Sequence, residues 1–338
     1  MGLQQADNRE TGVSMQNLNQ DIREHTFKKI YLLYGEEAFL KKSYKNQLKQ
    51  AILGDDTMNY HYFEGKNLDV KELISLADTM PFFVEHRLIL VEDSGFFKSA
   101  CDELVEYIPN MPDTTIMIFV ESEVDKRNRM FKKVKDLGYA AEMTRQNSAQ
   151  LAKWAGTILA KENKKITGHT MEFFLSKTGD DMENIRMELE KLISYTMGRD
   201  VITDQDVEEI CTEQVTNKIF DMVAAIVNGQ TRKAMDLYED LLTLKEPPMR
   251  IMFLIARQFN QLLQVKSMLG LGLDKNSIAS RLKMQPFVVG KVIPQAKMFT
   301  KEQIMSYVTQ CVDSEEAVKK GRLQDRLAVE LLISGKYR

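Results

Sequence analysis

The first thing missing from this chain of 338 residues is any apolar run near the ~18 residues that cross a bilayer. Residues 1–24 also lack the apolar core of a signal peptide, so a cytoplasmic location without membrane attachment is expected. Cysteine is scarce. Cys101, Cys211 and Cys311 are odd in number and far apart, which argues against a disulfide framework and against a zinc site. The four histidines, His25, His61, His86 and His169, are scattered, and none pairs at metal-ligand spacing. No G-x-S-x-G, no H-E-x-x-H and no Cys/His pair of a thiol enzyme occurs. No catalytic residue, metal or cofactor is therefore expected. The net charge of −3 makes no demand for nucleic acid as a partner.

What is present is ordinary for a globular protein of two or three domains: 43% apolar and 28% charged residues. The 20 methionines read as gap-filling core residues, with an adaptable contact surface as a second reading. Residues 1–24 are polar and are expected to be a flexible extension. Residues 25–145 alternate strand and helix patterns. Ile30–Tyr34, Asn59–Phe63, Arg87–Val91 and Thr114–Val120 read as strands, and helices are expected over 36–53, 99–107 and 125–137. Asp69 can cap a helix carrying Leu73, Leu76, Ala77 and Met80 on one face, with Pro81 as its stop. This alternation implies a parallel sheet covered by helices on both faces. After Thr144 no strand is expected. Asn147 and Ser148 can cap a helix over 149–162, and helices continue to the end of the chain with a break near Thr212–Thr216.

The strand-to-helix junction at Tyr34–Gly35 has the layout of a phosphate-binding loop without its chemistry. A working loop needs G-x-x-x-x-G-K-[ST], so that backbone N–H groups and a lysine surround the phosphates. Counted from Gly35, the second glycine position holds Leu40, followed by Lys41 and Lys42. Leu40 would fill phosphate space, and Glu36 and Glu37 set two negative charges at the helix N-terminus. An ordinary strand-to-helix turn reads the same way, and the residues alone leave both open. Glu92-Asp93 at a strand end resembles a Walker B pair, but two carboxylates in a solvated turn are the preferred reading, because Mg²⁺ there needs a phosphate partner and the loop is blocked.

The segment Met80-Pro81-Phe82-Phe83-Val84 places two phenylalanines directly after a helix stop. They form a compact anchor for a partner's pocket if exposed, or fold back onto the sheet if not. Val124-Asp125-Lys126-Arg127-Asn128-Arg129 reads as a solvated helix start capped by Asp125. From Arg281 onward, eleven basic residues stand against six acidic ones, Lys283, Lys336 and Arg338 among the basic. A modest DNA-facing patch and a merely solvated surface both fit.

Taken in order, these residues resemble the delta-subunit family of the bacterial DNA polymerase III clamp loader, from about Lys28 to Ile333. The matching segments are Tyr31–Glu37 with Phe39-Leu40, Pro81-Phe82-Phe83 with Arg87-Leu88-Ile89, and Val124–Arg127. Glu188–Leu192, Ile219-Phe220, Arg257-Gln258-Phe259, Gln295-Ala296 and Val318–Gly321 follow. The resemblance implies a RecA-like AAA+ domain with a degenerate P-loop over 25–145, a small helical lid over 146–214 and a helical collar over 215–338. It implies no ATP hydrolysis and no cofactor. It further implies membership of the polymerase III holoenzyme, itself a DNA-directed DNA polymerase, with the gamma/tau ATPase subunits and the delta-prime subunit as neighbours. The expected partner is the beta sliding clamp, gripped by Met80, Pro81, Phe82 and Phe83 and opened at one interface for loading onto primed DNA. Two other readings are an active AAA+ ATPase with an unusual loop and a helical adaptor of another assembly.

Overall fold

The computed structural model describes residues 15–99, 101–212, 215–282, 284 and 286–335. They fall into two compact units, one ending at Gln146 and the other beginning at Asn147.

The first unit is built on β1 (Ile30–Tyr34), β2 (Tyr60–Glu64), β3 (Arg87–Glu92), β4 (Thr115–Glu121) and β5 (Tyr139–Glu142). All pairings are parallel, in the order β2-β3-β4-β1-β5. The three central strands carry the unbroken apolar runs, because both of their faces are covered. The edge strand β2 is half exposed and mixes Tyr, His and Glu. Helices α1 (residues 15–24), α2 (Ala38–Leu53), α3 (Val70–Ala77), α4 (Asp102–Tyr107) and α5 (Arg129–Leu137) complete the unit. Ile30, Leu32, Ile89 and Phe119 share one core with Leu73 of α3, Leu104 of α4 and Met130 and Val134 of α5. By strand alternation Tyr31, Leu33, Leu88 and Leu90 point to the other face, where α2 buries Leu40, Tyr44 and Leu48.

Several expectations need correction. The extension over 1–24 is not flexible throughout. Its residues 15–24 form α1, which buries Leu18 and Asp21, and the Tyr31 hydroxyl donates to Asp21 Oδ2 at 2.8 Å. Residues 1–14 lie outside the described residues. Helix α3 ends at Ala77, not at Pro81, so Met80 leaves the apolar face and is exposed. Proline disfavours the helical region for the residue before it, and the chain departs still earlier. Asp125 caps a turn by accepting from the Arg127 N–H, while Asn128 caps α5 through the Met130 N–H. Strand β5 went unread because it is short, and Gly138 is what admits it. A Cβ on Gly138 would lie 2.1 Å from the Ile30 carbonyl oxygen.

The second unit comprises α6 (Ser148–Lys161), α7 (Gly168–Thr178), α8 (Met182–Tyr195), α9 (Asp204–Ile210), α10 (Val215–Val227) and α11 (Thr231–Thr243). It continues with α12 (Pro248–Gly270), α13 (Lys275–Leu282), α14 (Pro286–Met298), α15 (Lys301–Lys319) and α16 (Asp325–Ser334). Two-residue strands β6 (Lys165–Ile166) and β7 (Val201–Ile202) pair in parallel, against the expectation of no strand after Thr144. Segments this short carry no periodicity to read. Helix α10 is tied to α7: the Asn217 amide donates to the carbonyls of Ser176 and Lys177.

Candidate functional site

The two candidate sites in the first unit lie at opposite ends of the parallel sheet. The loop after β1 is at the C-terminal end of the strands. The segment 78–86 leads into β3 at their N-terminal end. Strands of five to six residues separate the two by roughly 17–20 Å.

At the N-terminal end the chain forms an exposed aromatic tip. Phe83 is 91% exposed, Phe82 55% and Met80 76%, while Pro81 is partly covered. The two rings meet edge to face with centroids 4.3 Å apart. Neither folds back onto the sheet. Phe83 has φ +58, a left-handed conformation uncommon for an aromatic residue.

The backbone under the rings is held by two buried polar side chains. Asn59, 1% exposed, accepts from the Phe82 N–H at 2.7 Å and donates to the Phe82 carbonyl at 2.9 Å. The same amide donates to Asp56 Oδ2 at 2.6 Å. Arg87 at the start of β3 donates to the carbonyls of Thr79 (3.2 Å) and Met80 (2.9 Å). Its third contact is His61 Nε2 at 2.5 Å. Burial and the neighbouring Arg87 charge push the His61 pKa down, so the ring stays neutral and can accept. Reading the sequence gave Asn59 and Arg87 only as strand residues, since nothing local signals that they reach 23 and 7–8 positions along the chain.

At the other end, β1 and α2 are joined by only Gly35, Glu36 and Glu37. Gly35 has φ +116, and a Cβ there would lie 2.5 Å from the Met143 carbonyl oxygen. The glycine thus serves a close backbone approach by the strand β5 exit. The Glu37 N–H donates to that Met143 carbonyl at 2.9 Å, and the Glu37 side chain accepts from the Phe39 N–H. Two donors that would face a phosphate, the Glu37 and Phe39 N–H groups, are thus engaged within the protein. Leu40 is buried. Lys41 is buried too and donates to the Glu121 carbonyl at 3.2 Å. Burial pulls its pKa down, opposed by the charges of Asp93, Glu121, Glu92 and Glu37. Glu36 stays exposed, 3.9 Å from Arg145. The Walker-B-like pair is also engaged: Glu92 with Lys45 at 2.5 Å, Asp93 as acceptor from Ser122 at 2.9 Å. Among the described residues no cluster of His, Cys, Asp or Glu could hold a metal ion.

The comparisons with known proteins agree with one another. The model of the DNA polymerase III delta subunit matches residues 31–144, and that of its C-terminal domain matches residues 216–335. The chain belongs to the family of DNA polymerase III delta subunits. It is 25% identical over 317 residues to the DNA polymerase III subunit delta of Bacillus subtilis, covering 90% of this chain and 91% of that one. A probable DNA polymerase III subunit delta of Aquifex aeolicus is 20% identical over 261 residues, 73% of each chain. The solved structure of the Bacillus subtilis DNA clamp loader delta protein superposes with a TM-score of 0.70 at 24% identity, covering 94% of this chain and 97% of that one. The fold, a five-stranded parallel sheet followed by many helices, is that of the clamp loader delta protein.

Family segments of the second unit meet in space. Gln258 on α12 donates to Gln295 on α14 at 3.1 Å, and Gln295 donates to the Phe220 carbonyl on α10 at 3.2 Å. Phe259 is buried and stacks on Tyr307 with centroids 4.6 Å apart. Glu188 is buried, bound by Lys191 at 2.7 Å and by the Thr212 N–H. These are scaffold contacts. Of the basic residues after Arg281, Lys319, Lys320 and Arg326 pair with Glu315, Glu316 and Glu330 one turn away, which weakens a DNA-facing patch. Lys283, Lys336 and Arg338 lie outside the described residues. Among those residues, no helix is long and apolar enough to cross a membrane.

Proposed function

We propose that the chain binds the beta sliding clamp through Met80, Pro81, Phe82 and Phe83 and opens one interface of the ring, so that the ring can be loaded on primed DNA. The observation that carries this reading is the pair of exposed phenylalanine rings on a backbone held from below. Burying a whole Phe side chain is worth about 1.5–3 kcal/mol. At 55% and 91% exposure, the two rings offer about 2–4 kcal/mol to a partner's pocket. That is a sizeable share of the about 8 kcal/mol of a micromolar complex. The chain need not pull the ring apart. Binding the open edge better than the closed one shifts the equilibrium toward opening.

The same reading gives the chain no ATPase activity of its own. The short loop, the engaged N–H groups and the buried Leu40 and Lys41 leave a triphosphate no cradle. Energy for loading comes instead from the gamma/tau ATPase subunits, with delta-prime as the other non-motor neighbour. The helices of 147–212 act as the lid and those from 215 onward as the collar, in a cytoplasmic replisome.

The test is surface plasmon resonance of the purified chain on the sliding clamp of the same organism, beside Phe82→Ala/Phe83→Ala with its fold checked by circular dichroism. Binding lost by roughly 30-fold or more in the folded double variant is the expected result. Binding that survives keeps the family and removes the tip. No binding even with partner subunits and ATP present favours an adaptor in another assembly. Saturable binding of labelled ATP by the chain alone would favour an active ATPase.

A further inference from the structure

Asn59 and Arg87 are buried, and the bonds they make to the tip go to its backbone, not to the exposed side chains that a partner would grip. We propose that they are positioning residues for clamp binding, fixing Met80–Phe83 in the presenting conformation before the clamp arrives. This rests on the tip being the clamp-binding element.

Three observations converge. First, the conformation needs holding. Phe83 sits at φ +58, and a left-handed residue with a side chain is disfavoured by roughly tenfold or more relative to its alternatives. No regular element imposes it, since α3 has ended at Ala77 and β3 begins at Arg87. Second, the bonds are placed where they act on the backbone alone. Asn59 takes both the N–H and the carbonyl of Phe82, the residue before the strained one, as a neighbouring strand would. Arg87 takes the two carbonyls of Thr79 and Met80 on the incoming side. Third, both clamps are themselves fixed. Asn59 is buried, bonded to Asp56, and its own carbonyl accepts from the Leu88 N–H at 2.9 Å. Arg87 is buried, with its remaining nitrogen on the neutral His61 ring. Preorganisation of this kind raises apparent affinity by raising the fraction of molecules ready to bind.

The mechanism predicts a kinetic split. Asn59→Ala frees Phe82 from its bonds and lets the tip relax to other conformations. The association rate with the clamp falls roughly tenfold, in proportion to the ready fraction, while the dissociation rate is unchanged because the rings still fill the same pocket. Phe82→Ala/Phe83→Ala does the reverse and speeds dissociation. Arg87→Lys keeps the charge, loses the two-carbonyl fork and serves as the second variant should Asn59→Ala not fold. On the chain alone, a fluorine-labelled phenylalanine at position 83 reports the tip by NMR. One sharp shifted line is expected in the wild type, and a line near the free-amino-acid position in Asn59→Ala and Arg87→Lys. Unchanged spectra and unchanged association rates in both folded variants would overturn the positioning role while leaving the tip as the binding element. A wild type that does not bind the clamp at all overturns the underlying reading instead, with the NMR comparison still deciding whether these residues hold the tip.

Discussion

Completing the missing motif should not restore nucleotide binding. Leu40→Gly with Lys42→Thr would produce the full G-x-x-x-x-G-K-[ST] pattern from Gly35 onward. The backbone, however, allows three residues between β1 and α2, with Glu37 already capping the helix. Its N–H is held by the Met143 carbonyl, and the Lys41 amine lies against the Glu121 carbonyl on the buried side of α2. A triphosphate would have to displace these bonds and then sit beside Glu36 and Glu37. Stability would fall as well. Emptying the buried Leu40 site costs about 2–5 kcal/mol and glycine in a helix about 1 more. At about 2–4 °C per kcal/mol for a domain of this size, the melting temperature should drop by about 10 °C. The assay is isothermal titration with ATP and Mg²⁺ on wild type and double variant, with differential scanning calorimetry of both. The expectation is no saturation below about 1 mM in either. A dissociation constant of tens of micromolar in the variant, with ATP raising its melting temperature, would refute the claim that loop geometry rather than motif letters closes this site.

Other outcomes follow from single contacts. Tyr31→Phe removes the hydroxyl that donates to the buried Asp21, and unfolding by denaturant should show a loss of about 1–3 kcal/mol. Asn147→Ala breaks the reciprocal cap with Gln150 on α6 and should cost about 1 kcal/mol in the same measurement. Burial raises the thiols of Cys211 and Cys311 to about 12, above their ordinary value near 9. Their contribution to stability is therefore complete below about pH 9 and lost as pH rises toward about 12, which an alkaline unfolding titration would follow. At pH 8 iodoacetamide should label the partly exposed Cys101 first, and a chain whose Cys211 or Cys311 labels as fast would contradict the burial.

The central strands were legible because their cause is local. Leu88–Val91 and Ile116–Val120 are unbroken apolar runs, as a strand covered on both faces requires. The helix over Lys301–Lys319 also has a local cause for its start, the reciprocal cap between Thr300 and Gln303. Strand β5 and the pair β6 and β7 were not legible, since four residues or two hold no period and pair only with segments distant in sequence. Helix α1 was hidden for a related reason. Its polar composition says solvent, but it docks through buried Leu18, Asp21 bonded to Tyr31, and the amides of Asn17 and Asn19 on the Tyr139 and Tyr44 hydroxyls.

The sequence by itself determined that residues 30–42 do not spell the phosphate-loop motif, because its second glycine and its Ser/Thr position hold Leu40 and Lys42. It also determined that two adjacent phenylalanines follow Pro81, although the helix before them ends earlier, at Ala77. Whether those rings face solvent was decided by tertiary structure alone. That outcome depends on Asn59 and Arg87, brought from the ends of two neighbouring strands to hold a backbone that has no regular hydrogen bonding of its own. Side-chain bonds across 23 residues join segments that the pairing of β2 with β3 brings together, so nothing in the local pattern could announce them.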